Sequence, residues 1–164
     1  MAPTAAATKT FHVNGVDLAW SERGSSPEGT PTLVLCHGFT GSSLDFALEV
    51  DALASDRRVV TLDQRGHGAS TGTGRLEGYT IEQLTADLSS FIEALGDGPV
   101  DLLGHSMGGR VVMGVVAHRP DLVHSLILMD TTAWSFVPPD QGARELVRGW
   151  MDSFEPARDR KSVV

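Results

Sequence analysis

The sequence predicts an α/β fold, built on a doubly wound, mostly parallel sheet that opens with an antiparallel hairpin. Three observations predict it. A continuous apolar run at residues 32–36 and mostly apolar runs at 58–63, 100–103 and 123–130 have the length and character of parallel strands. Longer stretches with mostly helical spacing lie between them, so that strand and helix alternate three times. Ahead of these, residues 11–20 alternate apolar and polar around Asn14-Gly15, the signature of two strands joined by a tight turn.

Taken in order, residues 1–10 are rich in Ala and Thr with a lone Lys9 and lack the apolar core of a signal peptide. They read as a disordered start to a cytoplasmic protein. The hairpin follows, and Gly, Ser, Pro and Glu then mark residues 21–31 as a surface loop. The strand at 32–36 ends in His37-Gly38-Phe39-Thr40-Gly41, and residues 42–56 carry Leu44, Phe46, Ala47, Val50, Leu53 and Ala54 in a mostly helical pattern. The strand at 58–63 opens into Gln64-Arg65-Gly66-His67-Gly68-Ala69-Ser70, and the loop runs on to Gly78. Gly72-Thr73-Gly74 within it does not sit between strand and helix as a dinucleotide fingerprint must.

Thr80 with Gln83 three residues on resembles a capping box, and Ile81, Leu84, Leu88, Phe91, Ile92 and Leu95 share one helical face. Gly96-Asp97-Gly98-Pro99 stops that helix. After the strand at 100–103, Val111, Val112, Val115 and Val116 favour strand locally, but a crossover between parallel neighbours needs a dozen or more residues. Topology therefore predicts a helix over 110–117, ended by Pro120. Residues 11–133 form the expected core, and 134–164 read as the start of a cap or a frayed tail.

The 164 residues, 41% hydrophobic and 21% charged, suit one globular domain. A net charge of −8 argues against a phosphate-backbone binder, and no apolar stretch is long enough for a membrane span. The single cysteine, Cys36, lies in an apolar run and reads as a buried small hydrophobe.

Chemistry concentrates where Val100-Asp101-Leu102-Leu103 runs into Gly104-His105-Ser106-Met107-Gly108-Gly109. A strand driving into Gly-x-Ser-x-Gly with a helix behind it is the context of a nucleophile elbow, whose glycines let strand and helix pack closely. The segment resembles the elbow of the α/β-hydrolase superfamily. His37-Gly38-Phe39 resembles that superfamily's oxyanion loop, and 63–70 its Asp-x-x-Gly-x-Gly-x-Ser loop. The resemblance covers most of residues 32–133. It implies Ser106 as nucleophile, with the backbone N–H groups of Met107 and Phe39 holding the oxyanion of an ester, lactone or related acyl substrate. It implies no cofactor or metal.

The superfamily orders its triad as Ser, then Asp or Glu, then His. None of the six histidines stands in the expected place. His67 follows a different strand, His105 adjoins the serine on a tight turn, and His118 and His124 flank Pro120 at the strands' opposite end. Asp130 reads as a loop-capping carboxylate before it reads as the acid. The resemblance thus implies the amino-terminal part of such a hydrolase, lacking the last strands and helix of the fold. Little turnover is expected of these residues alone, and the alternative is a non-catalytic fragment or binding module. The strand at 123–130 would then leave an apolar edge open to self-association.

Overall fold

The computed structural model describes residues 7–133. The chain divides into two units, 1–131 and 132–164, and the expected cap or tail at 134–164 lies outside the described residues. The first strand, β1 (Lys9–Val13), begins inside the stretch expected to be disordered, because Lys9 and Thr10 pair with Trp20 and Ala19 of β2 (Val16–Arg23). Asn14 and Gly15 take φ of 45° and 77°, as a two-residue primed turn demands.

Four strands follow: β3 (Leu33–Cys36), β4 (Val59–Leu62), β5 (Val100–His105) and β6 (Val123–Met129). The sheet order is β1-β2-β4-β3-β5-β6, with β2 antiparallel to its neighbours and the rest parallel. The chain leaves β3 to one side for β4 and returns to its other side for β5. Open α/β sheets place their sites at such a reversal, beyond the carboxyl ends of the strands that flank it, here β3 and β5.

Alternation along β3 shows how the sheet is buried on both faces. Val34 and Cys36 enter a core with Leu84, Leu88, Phe91 and Ile92 of α2 (Ile81–Leu95) and Val111, Val112 and Val115 of α3 (Met107–His118). Leu33 and Leu35 join a smaller core on the other face with Phe46 and Val59. One half of the capping box forms at the α2 start: the Gln83 backbone N–H donates to Thr80 Oγ1 at 3.2 Å, while Gln83 Nε2 turns to Asp87 Oδ1 at 3.5 Å; Gly96 ends the helix with φ 70°. The valines of α3 are helical because only a helix closes the crossover and buries them.

One element differs from its pattern. Residues 42–56 form a 3-10 turn (Ser43–Phe46) and a single α-helical turn, α1 (Val50–Leu53), instead of one helix. Ser42 Oγ caps the first turn by accepting from Leu44 N–H, and Asp63 Oδ1 pins Ser43 N–H at 2.6 Å, so the segment is tied to β4 at its start. Phe46, Val50, Leu53 and Ala54 reach the smaller core, while Leu44 and Leu48 stay exposed.

Candidate active site

The site grows from the junction of β5 and α3. Ser106 takes φ 51° and ψ −116°, a backbone conformation that L-residues avoid. Several contacts impose it. Its N–H donates to Met129 O at 3.0 Å, and its carbonyl accepts from Gly109 N–H at 3.0 Å and from Thr131 Oγ1 at 2.6 Å. The end of β6 thus grips the junction from one side.

The glycines explain how close the packing is. A Cβ on Gly108 would stand 2.5 Å from His37 O, and one on Gly104 would meet Gly108 O at 2.6 Å. A Cβ on Gly38 would lie 3.2 Å from Ser106 Cβ, so the loop after β3 passes directly beside the serine. Ser106 precedes the first helical residue but makes no side-chain cap bond, so Oγ is not spent on the helix. The N–H of Met107, as the first residue of α3, has no acceptor within the helix and is oriented by the helix start. Phe39 follows Gly38 and is half-exposed, its ring edge-on to His67 with centroids 6.2 Å apart.

The neighbouring loops are locked by polar contacts. His37 is fully buried; its Nδ1 pairs with Gly38 O at 2.8 Å, and its Nε2 accepts from Gln64 N–H at 2.9 Å. Those partners require the neutral ring with its proton on Nδ1. Burial, helped by His67, holds His37 below its ordinary value near 6.5, against the Gly38 carbonyl, Asp63 and Asp45. Asp63 accepts from Ser43 N–H and Ala69 N–H, so one carboxylate ties the segment after β3 to the loop after β4.

Beneath that loop, Arg65 and Asp87 form a buried bidentate pair at 2.5 and 2.7 Å. Arg65 also donates to Gly78 O, and Asn14 Nδ2 donates to Asp87 Oδ1, which joins loop, helix and hairpin. Sequence reasoning missed this pair. Its signal is present, since Asp87 interrupts the apolar face made by Leu84, Leu88 and Phe91.

None of the hydrogen bonds among the described residues uses Ser106 Oγ, and none joins Ser106 to a histidine. His67 Nδ1 pairs with Arg65 O. His105 Nδ1 lies beside Gly38. His124 sits with Ser125 on Asp101 Oδ1 at the amino end of β5, where Val100 faces Val123 but Asp101 faces Ser125. Burial alone would raise the Asp101 carboxyl, but hydrogen bonds from Ser125 and His124 and the Arg57 charge hold it below its usual range. Asp130 has φ 45°, and its carboxylate makes none of these hydrogen bonds, so the expected loop cap is not formed among the described residues. Burial pushes the Cys36 thiol up to about 12, which suits a core residue and not a nucleophile. Among the described residues no group of His, Cys, Asp and Glu can hold a metal ion, and no helix is long and apolar enough to cross a membrane.

With this geometry in view, the family model for the alpha/beta hydrolase fold matches residues 31–160. The chain belongs to the α/β hydrolase family. It is 32% identical over 158 residues to the dihydrolipoyllysine-residue acetyltransferase component of the acetoin cleaving system of Pseudomonas putida, covering 96% of this chain and 39% of that protein. It is 34% identical over 110 residues to the mouse sn-1-specific diacylglycerol lipase ABHD11, covering 66% of this chain and 35% of that one. The epoxide hydrolase VrEH1 of Vigna radiata superposes with a TM-score of 0.73 at 25% identity, over 88% of this chain and 46% of its own. This α/β hydrolase chain therefore spans less than half the length of these relatives. Their differing chemistries show that the shared fold does not by itself select a reaction.

Proposed function

We propose that the chain carries the nucleophile half of a serine hydrolase site acting on an ester, lactone or related acyl compound. The conformation of Ser106 carries the reading. A serine held at φ 51° between β5 and α3, with its hydroxyl free of cap duty and the Gly38 loop against it, suits attack on a carbonyl. In the reaction, Oγ adds to the acyl carbon as its proton passes to a base. The oxyanion that forms takes hydrogen bonds from Met107 N–H and Phe39 N–H, and its collapse expels the alcohol and leaves an acyl-enzyme for water to cleave. A serine also separates this reading from alkyl-enzyme chemistry, which uses a carboxylate nucleophile.

Among the described residues no general base is hydrogen-bonded to Ser106. All six histidines lie at or before His124, and none of them is hydrogen-bonded to Ser106. An oxyanion hole and binding without a working triad retain roughly 10³- to 10⁴-fold acceleration over water, so these 164 residues turn over slowly. The same observation favours a second reading, a binding module of this fold without catalysis. A fluorophosphonate that reacts with activated serines separates the two. Slow covalent labelling, mapped to Ser106 by peptide mass spectrometry and lost in Ser106→Ala, is the expected result. Labelling that survives Ser106→Ala removes the nucleophile assignment.

Partners follow from the same reading: a small acyl substrate at the carboxyl ends of β3 and β5, and a second copy of the chain at the edge of β6, which no described strand covers. Residues Ile127, Leu128 and Met129 are exposed there, and no charged side chain between Ser125 and Met129 opposes self-pairing.

A further inference from the structure

Gln64 is a buried polar side chain that the nucleophile reading leaves without a task. Its Nε2 donates to His37 O at 2.7 Å, and its backbone N–H donates to His37 Nε2 at 2.9 Å. One residue of the β4 loop therefore grips both the carbonyl and the ring of the first residue of the β3 loop. The far side of the same carbonyl is packed against Gly108, where a Cβ would stand 2.5 Å from it. His37 Nδ1 in turn pairs with Gly38 O, which also accepts from Gly41 N–H at 3.2 Å. The two peptides that lead to the Phe39 N–H are thus fixed from β4, from the elbow and from within the loop.

The grip has a local cost. Gln64 is 4% exposed, and its Oε1 is buried with no hydrogen-bond partner among the described residues. An unpartnered buried acceptor is uncommon in a folded chain. Exchanging amide oxygen and nitrogen would set oxygen against His37 O, so the orientation is forced by that carbonyl. The cavity that Gln64 borders with Leu18, Leu62 and Arg65 has room for about 10 Å³, close to a single water and far below an organic ligand. The amide is explained by what its N–H does for His37.

We propose that Gln64 is a positioning residue for the oxyanion hole, setting the direction of the Phe39 N–H toward Ser106 through its double grip on His37. The inference rests on the reading of Ser106 as nucleophile. The charged and titratable groups around the grip are Asp63, Asp45 and His67 beside His37, His105 beside Gly38, and the Arg65–Asp87 pair below.

The test compares the full chain with Gln64→Met and Gln64→Glu, reading the rate of fluorophosphonate labelling at Ser106 and amide hydrogen exchange at Phe39 and Gly41. Met keeps the volume and the backbone donor but loses the amide N–H. Deleting an oxyanion donor costs roughly 10²- to 10³-fold, so a displaced one should slow labelling by about tenfold or more, with faster exchange at Gly41. In Gln64→Glu the protonated carboxyl can donate to His37 O and the ionised one cannot. The ratio of the Glu rate to the Met rate should therefore rise as pH falls, a recovery that loss of packing does not produce. Labelling and exchange in Gln64→Met equal to those of the unaltered chain overturn the proposal, as does a flat Glu-to-Met ratio. If the unaltered chain does not label at Ser106 at any pH, the nucleophile reading fails by itself. Exchange at Phe39 and Gly41 then decides the grip: faster exchange in Gln64→Met sustains the Gln64 hold on this loop, and unchanged exchange overturns it.

Discussion

At Ser106 the chain holds an L-residue where φ is 51°, and a strained residue of this kind costs on the order of 1–3 kcal/mol that its surroundings must offset. The offset is visible in the bonds from Met129 O, Gly109 N–H and Thr131 Oγ1, and in the glycine at 108 that lets α3 meet the β3 loop. Gly108→Ala sets a methyl against Cys36 O and His37 O, which are backbone atoms and cannot turn aside. We expect it to destabilise the fold by about 1–3 kcal/mol, the usual cost of overpacking, read as a lower urea midpoint. His37 gives a pH signature at the same scale. Its native value is depressed below the ordinary 6.5, so the folded state prefers the neutral ring. That preference stabilises the fold fully above the unfolded value and is lost as pH falls from there through the folded value. Chemical denaturation between pH 8 and pH 5 should show stability falling on the acid side, and His37→Gln should flatten that part of the profile.

Among the elements, α2 does more than cover the sheet. Its Asp87 meets Arg65 and Asn14, so the helix that buries Leu84, Leu88 and Phe91 also anchors the β4 loop and the opening hairpin. Removing one partner of a buried pair leaves an uncompensated charge, typically at about 3–5 kcal/mol. Asp87→Ala is expected to lower the thermal midpoint far more than the paired change Arg65→Met with Asp87→Leu, which removes both charges together. Thermal unfolding of the two variants followed by circular dichroism checks the difference. Equal losses would mean that packing, and not the ion pair, holds α2 to the loop. The segment after β3 makes the complementary point. Its spacing reads as helix, yet Ser43 is tied to Asp63 and the helix is cut into two short turns.

At the scale of the whole molecule, β6 is the last strand of the sheet among the described residues, with Ile127, Leu128 and Met129 at 43–46% exposure. A net charge of −8 opposes association of copies, and salt screens that repulsion. Sedimentation velocity should show association that rises with protein concentration and with salt. Leu128→Lys should shift the chain toward monomer, because a charge on an edge strand disfavours pairing. A chain that stays monomeric at all salt concentrations would remove the edge as an interface.

Much of this was legible beforehand, for physical reasons that differ by element. Periodicity set α2, apolar runs set the parallel strands, and Asn14-Gly15 set the turn, because each is a local preference written in consecutive residues. Gly-x-Ser-x-Gly after a strand located Ser106, because the tight turn needs those small residues in that order. The helical state of α3 was legible only through the topology of its neighbours, since its valines prefer strand. What the tertiary structure alone decided lies between segments distant in sequence: Gln64 on His37, Arg65 on Asp87, Thr131 on Ser106 and Asp63 on Ser43. Polar side chains carry no period that names a partner, and their partners are chosen only when burial removes water as the alternative.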